Sequence, residues 1–507
     1  MRNKTNYFAI FFFILLCLTT CAFCYEFPTK NFDQEVEQAL HKWQIPGASI
    51  GVVKDGSIIF SKGYGVIQIG GETQVNEHTL FAIGSCAKAF TATALAMLVD
   101  THAISWDESV ADVLRDFYLI DHYVTSEATI RDLLAHRTGL ADHDGDLLWY
   151  QSPFDRQAII ARLKYLSPIS SFRSSFDYQN VLYLAAGEII PQITHKSWDE
   201  FIETRIFTPL QMKESYTTLS FLEKTKNVAS PHYLMNDHIV AYKWYSTDNI
   251  APATGIVSNC HDMAKWLQLQ LGTIKGLVSQ NALNEMHESQ TIIPSKSFSQ
   301  TLYPGVHFLT YGLGWFLSDF QGRKLIEHGG MINGMTAHVA IMPEENLGIV
   351  VLSILYCSSF PQVMVNTILE KFLEISGYNW HAELLRYDQA VANYDKAIDN
   401  TIEKERIAQT ESTLQLTAYS GTYVNDLYGK ITICFDSEAK RLNTTLFKAK
   451  GELAHWHYDT FRFEARSAEK DPLLFQALIT FTIDEKGKVD SFTIPHMFDD
   501  EVFEKIN

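Results

Sequence analysis

From Cys86 to Val99 every residue is small or apolar except one, Lys88. A helix of that composition has no solvated face, so it must lie inside the protein with other elements packed around it. Lys88 goes in with it. A lysine in such a place needs a partner or a lowered pKa. Each pH unit of lowering is worth about 1.4 kcal/mol, and a base useful near neutral pH needs about three. Ser85 stands in the first turn, where the helix dipole favours developing negative charge. Lys88, three residues on, shares its face. A serine with a lysine one turn away gains a nucleophilic hydroxyl without a histidine or a metal. Ser-x-x-Lys recurs by chance in a chain this long, ordinarily as a surface pair; the apolar setting sets this copy apart.

A chain of 507 residues exceeds one ordinary core, so two or more units are expected. The formal charge of −18 and the lack of a basic run exclude nucleic acid as a partner. Arg2 and Lys4 precede an apolar run from Phe8 to about Leu18. That pattern predicts a secretory signal peptide over residues 1–24, too short in its apolar part to span a bilayer. The protein is therefore expected to be exported, periplasmic or secreted, with no transmembrane segment in the mature chain. Leu18-Thr19-Thr20-Cys21 fits a lipoprotein signal poorly because Thr20 is large for its position. Cys86, Cys260, Cys357 and Cys434 lie far apart without metal-ligand spacing and read as small buried hydrophobes, with any disulfide pairing unspecified.

Phe32, Val36, Leu40 and Trp43 mark an amphipathic helix over about 31–43. A hairpin follows, Ala48 to Val53 and Ser57 to Ser61 around Lys54-Asp55-Gly56. Helical patterns dominate from about 80 to 250, and strands return over 311–354, with turns at Gln321-Gly322 and Pro343 to Asn346. The fold class is α+β: an antiparallel sheet of five or more strands, flanked by helices and interrupted by a helical insertion, over residues 30–378. A helix near 361–375 covers it. A charged helical connector fills 379–412. From 413 to 507 short strands recur every 8 to 12 residues, about eight in all, predicting an all-β up-and-down barrel-like domain.

Two further motifs follow Ser85/Lys88. Tyr178-Gln179-Asn180 opens a helix beginning near Val181, with a second Tyr-x-Asn at Tyr423-Val424-Asn425 that reads as a structural strand. His328-Gly329-Gly330 ends a strand, where glycines let a substrate approach the backbone. Its duplicate, His143-Asp144-Gly145, comes before the tyrosine motif in an acidic loop, Asp142 to Asp146, that lacks the glycine placement of a calcium loop. Gly47-Ala48-Ser49-Ile50-Gly51 matches a nucleophile elbow but runs from a helix into a hairpin, so it reads as a first strand. Gly63-Tyr64-Gly65 has Gln68 where a dinucleotide fingerprint needs glycine.

The ordered set Ser85/Lys88, Tyr178/Asn180 and His328/Gly330 resembles the active-site boxes of the serine β-lactamase and penicillin-binding-protein superfamily, in its class C-like branch. Leu133 to Leu140, Ala253 to Ser258 and Tyr311 to Trp315 are similar to its other landmarks. The resemblance covers about 32–375, and the tail resembles the lipocalin-like domain that often follows. It implies Ser85 as acylated nucleophile and Lys88 as base, alone or by setting the field for Tyr178. It implies Asn180 as holder of a substrate amide, the N–H groups of Ser85 and Met331 as the oxyanion hole, and His328 lining the cleft from the edge strand. Oxyanion donors are worth about 3–4 kcal/mol each in the transition state.

The β-lactamase pattern has Lys-Thr-Gly where this chain has His328-Gly329-Gly330. A neutral imidazole and bare backbone bind an anionic ring poorly. The expectation is therefore an exported serine hydrolase acting on an ester, amide or D-amino-acid peptide. A β-lactamase or DD-peptidase, a weakly catalytic binding or sensor protein, and a barrel carrying apolar ligands stand as alternatives. The partner is a small-molecule or peptide substrate; the chemistry calls for no cofactor and no metal. The tail is expected to pack on the catalytic domain and lend Trp456, His457, Tyr458 and Phe461 to the cleft rim.

Overall fold

The computed structural model describes residues 29–506 apart from 236, 298, 447, 466–476, 496 and 498–500. The expected signal peptide lies outside them. Among the described residues no helix is long and apolar enough to cross a membrane.

The hairpin forms as expected, β1 (Gly47–Lys54) with β2 (Ser57–Gly65). The buried helix is α2 (Ala87–Asp100), after α1 (Thr29–Trp43), and the tyrosine motif leads into α3 (Asn180–Thr194). The sheet is larger than five strands. To β1 and β2 it adds β3 (Thr291–Ile293), β4 (Leu309–Tyr311), β5 (Phe316–Phe320), β6 (Arg323–Ile332), β7 (Met335–Met342) and β8 (Leu347–Ile354). The antiparallel order is β2-β1-β8-β7-β6-β5-β4-β3. Strands of three residues, such as β3 and β4, are too short to show alternation, which is why they escape a periodicity reading.

β1 and β8 are buried along nearly their whole length and sit side by side, Ile50 opposite Val351 and Gly51 opposite Val350. Both faces of the sheet are therefore covered. Because side chains alternate across a strand, Ile50, Val52, Ile349 and Val351 pack against α1 and α4 (Phe360–Phe372). Val53, Val350, Leu352 and Ile354 face the core around α2. There Phe90 of α2 stacks on Trp266 with ring centroids 3.6 Å apart.

A long helix, α5 (Trp380–Glu405), leads from α4 to a closed barrel of eight sequential antiparallel strands. These run from β9 (Gly421–Asn425) and β10 (Gly429–Asp436) through β11 (Arg441–Leu446), β12 (Ala449–His457), β13 (Thr460–Ala465), β14 (Leu478–Ile483) and β15 (Val489–Thr493) to β16 (Val502–Lys505). Tyr423 is a barrel-core residue whose hydroxyl donates to Tyr419 O at 2.8 Å, so the second Tyr-x-Asn is structural.

Three expectations need correction. The barrel does touch the helical body, but through the β9–β10 turn: Leu427 joins the core around α2, and Tyr428 packs against both cores. Of the aromatics expected at the rim, Phe461 is buried inside the barrel. Trp456 and His457 meet the end of the connector at Arg406 and Ile407. The strand of His328 is not the edge of the sheet, because β5, β4 and β3 extend it beyond β6, but the pairing of β5 with β6 ends at Glu327 opposite Phe316, one residue before His328. Cys86 and Cys260 are buried as expected, whereas Cys357 and Cys434 are exposed.

Candidate active site

A single 3-10 turn, Gly84–Cys86, carries Ser85 into α2. Gly84 has φ +52°, and a Cβ there would lie 2.4 Å from Met331 N. Gly330 on β6 is equally constrained, since its Cβ would sit 1.9 Å from Ile83 O. Only glycine at both points lets the helix start press against the strand. That contact brings the Ser85 and Met331 amides to the same edge of the site. Ser85 is half-buried and Met331 exposed, so the pair opens to solvent on one side.

Lys88 is completely buried in α2. Its Nζ donates to Ser85 Oγ at 3.1 Å, to Asn180 Oδ1 at 2.7 Å and to Ala253 O at 3.3 Å. It also lies over the Tyr178 ring, 4.5 Å from the centroid. Burial pushes its pKa down to about 7, with the charges of Asp146 and Cys86 acting in the other direction. Burial holds the Tyr178 phenol well above the ordinary tyrosine value, with the Ser85 hydroxyl acting in the other direction. Near neutral pH the amine is thus available as a base and the phenolate is not.

Tyr178 is seated by what lies beneath it. Its ring centroid is 4.4 Å from that of His136, and His136 Nδ1 accepts from the Gln179 N–H at 2.9 Å. His136 is buried with its pKa lowered by desolvation, and so stays a neutral platform. Phe316 stacks at 6.5 Å on Tyr178.

His328 is buried, not lining the opening. Its Nδ1 meets Gly329 O at 2.6 Å and its Nε2 meets the Tyr311 hydroxyl at 2.9 Å. A carbonyl only accepts, so Nδ1 carries the hydrogen and Nε2 accepts from Tyr311. Burial, aided by the Lys88 charge, pushes the pKa down to about 3. The ring is neutral with both nitrogens occupied, and offers no cation to an anionic substrate.

Asn180 is also buried, and both ends of its amide are engaged, Oδ1 by Lys88 and Nδ2 by Asp146. It donates to Asp146 Oδ1 at 2.9 Å and Oδ2 at 3.0 Å. Asp146 and its neighbour His143, which meet at 2.8 Å, belong to the acidic loop that the sequence reading set aside. Tyr311, legible only as a landmark, emerges as the partner of His328. No local signal marks either contact, since each partner is remote in sequence from the box it serves. Among the described residues no group of three or more His, Cys, Asp or Glu side chains is placed to hold a metal ion.

A serine hydroxyl bonded to a buried lysine amine, between an aromatic wall and a glycine-lined strand, sits on a sheet-and-helix body that matches the model of the Beta-lactamase family over residues 32–354. The chain belongs to the Beta-lactamase family. The tail of this family member, residues 405–505, matches a domain of unknown function, DUF3471. The chain is 28% identical over 434 residues to unguisins hydrolase ungD' of Aspergillus campestris, covering 82% of this chain and 79% of that protein. It is 26% identical over 345 residues to protein flp of Staphylococcus aureus, covering 66% and 65%. Among solved structures, the octameric penicillin-binding protein homologue from Pyrococcus abyssi superposes with a TM-score of 0.61 at 21% identity, over 94% of this chain and all of that one (100%). A class C beta-lactamase gives 0.56 at 21% identity, over 68% of this chain and 96% of that one. A D-stereospecific amidohydrolase from Streptomyces gives 0.54 at 20% identity, over 68% and 99%. At these identities the structural likeness speaks for the fold.

Proposed function

We propose that this chain is an exported serine hydrolase that forms an acyl-enzyme on Ser85 and cleaves an ester, an amide or a D-amino-acid peptide. Residues 30–378 carry the chemistry, and the connector and lipocalin-like barrel support it. The observation that carries the reading is the 3.1 Å contact between Ser85 Oγ and the buried Lys88 Nζ. Once neutral, Lys88 keeps its two N–H groups on Asn180 Oδ1 and Ala253 O, turns its lone pair to the Ser85 hydroxyl and takes that proton as Oγ attacks the substrate carbonyl carbon. The N–H groups of Ser85 and Met331 receive the oxyanion of the tetrahedral intermediate. The Tyr178 phenol gives its proton to the leaving group and is reprotonated from Lys88. Water then enters by the same steps in reverse and releases the acid.

The neutral His328 argues against substrates that dock by a carboxylate, and so against efficient β-lactam hydrolysis. The names of the relatives, a hydrolase and an amidohydrolase among them, fit the wider reading. The test is labelling with a fluorophosphonate probe. Wild type labels and Ser85→Ala does not; equal labelling of both defeats the reading.

A further inference from the structure

The acidic loop Asp142–Asp146 meets the site at Asn180 and at the Tyr178 N–H. Asp146 gathers three donors. Besides both contacts from Asn180 Nδ2, it accepts from Trp149 Nε1 at 2.8 Å and meets His143 Nδ1 at 2.8 Å. A carboxylate only accepts, so it dictates which end of the Asn180 amide faces it. The other end, Oδ1, is then committed to Lys88. With the amide reversed, its N–H groups would face the N–H groups of the lysine and the contact would be lost. A continuous chain of contacts therefore runs His143–Asp146–Asn180–Lys88–Ser85.

The loop is held from both sides. Leu148 and Trp149 are buried in the core around α2, while Leu147 packs against the barrel core. Tyr428 of the β9–β10 turn touches both cores, and Phe154 lies 3.1 Å from where a Cβ on Gly429 would be. Asp146 is thus fixed in place where two cores meet.

We propose that Asp146 is a positioning residue for the Lys88 amine, acting through Asn180, and that His143 tunes it from the solvent side. This rests on the reading of Ser85 and Lys88 as the reacting pair. The groups around Lys88 leave Asp146 a distinct part. The Cys86 thiol, pushed up to about 12, is neutral. The Tyr178 and Tyr183 phenols are raised and neutral, and the His136 and His328 rings are lowered and neutral. Asp142, which accepts from the Tyr178 N–H at 2.9 Å, acts on His143. Asp146 raises the pKa of Lys88 against the desolvation that lowers it. His143 has its own pKa raised, first by its bond to Asp146, and feels the repulsion of Lys88. When His143 is protonated it offsets Asp146, and the amine becomes neutral at lower pH.

The experiment follows Lys88 directly. The purified protein carrying ¹³Cε-labelled lysine is titrated by NMR, with the Lys88 signal assigned by its loss in Lys88→Met. The fluorophosphonate labelling rate is measured over the same pH range. Asp146→Asn is expected to lower both midpoints by about one pH unit. Asp146→Glu is expected to restore most of the shift, and His143→Gln to raise both midpoints by a smaller step. A folded Asp146→Asn whose midpoints stay put overturns the proposal, because a merely structural aspartate lowers amplitude and melting temperature without moving a titration. If Asp146→Asn does not fold, His143→Gln decides, since its exposed side chain tolerates replacement; midpoints unmoved or lowered overturn the proposal. A wild type that never labels at Ser85 defeats the hydrolase reading, while the Lys88 titration still judges the relay.

Discussion

Replacing Lys88 by methionine turns the cost of the buried amine into a measurable slope. Burial takes the pKa of Lys88 from the ordinary 10.5 to about 7. The unfolded chain therefore binds this proton more tightly than the folded one. The folded state is not penalised above pH 10.5; stability is lost as pH falls towards 7, and the loss levels off below that. At about 1.4 kcal/mol per pH unit the full loss is about 5 kcal/mol, of which about 3 kcal/mol falls between about pH 9.5 and 7. Lys88→Met keeps the length of the side chain and abolishes the titration. It also deprives Asn180 Oδ1 and Ala253 O of a donor, at about 1–3 kcal/mol each. The variant is thus the less stable protein at alkaline pH. Whatever that deficit, it should gain about 3 kcal/mol on wild type between about pH 9.5 and 7. Urea unfolding followed by tryptophan fluorescence reads this, because eight of the nine tryptophans precede residue 381 and report the sheet-and-helix body. Stability curves that run parallel with pH would refute the claim that Lys88 is held as a neutral amine.

Tyr178→Phe is expected to lower kcat about 100-fold by removing the proton donor to the leaving group. The midpoint near pH 7 should persist in that variant, because Lys88 sets it; a lost midpoint would make the phenol the base. Gly84→Ala places a Cβ 2.4 Å from Met331 N at a positive φ. It should abolish labelling of Ser85 and cost about 1–3 kcal/mol of stability in a urea titration; retained labelling would show that the helix start and β6 tolerate separation. Tyr428→Ala removes the side chain shared by the two cores. A fall of about tenfold in kcat/KM is expected, the size of a 1.4 kcal/mol change, and unchanged kinetics would mean the barrel contact is inert towards the site.

Much of this arrangement was legible because it is local. Ser85 and Lys88 share a helix face by spacing alone, and the apolar run to Val99 announces burial of the lysine. The strands of the first hairpin and the turns at Gln321 and Pro343 follow from alternation and turn residues. The barrel appears as a rhythm of short strands. The strands β3 and β4 were not legible, since each has three residues and owes its pairing to neighbours in the sheet. The rim aromatics were misassigned because a residue near a barrel turn is equally apolar whichever end of the barrel it occupies.

The chain's own order of residues settled that an alcohol and an amine meet one turn apart in a dry helix, since that contact spans three residues. It told the two His-x-Gly motifs apart by order and setting, but not by their contacts. Folding decided those. It placed His328 under Tyr311 with no charge to offer, and drew His143 and Asp146 around Asn180. Those contacts, and the water excluded around Lys88, join segments distant along the chain. Their energies depend on burial, which exists only once helices, sheet and barrel have closed on one another.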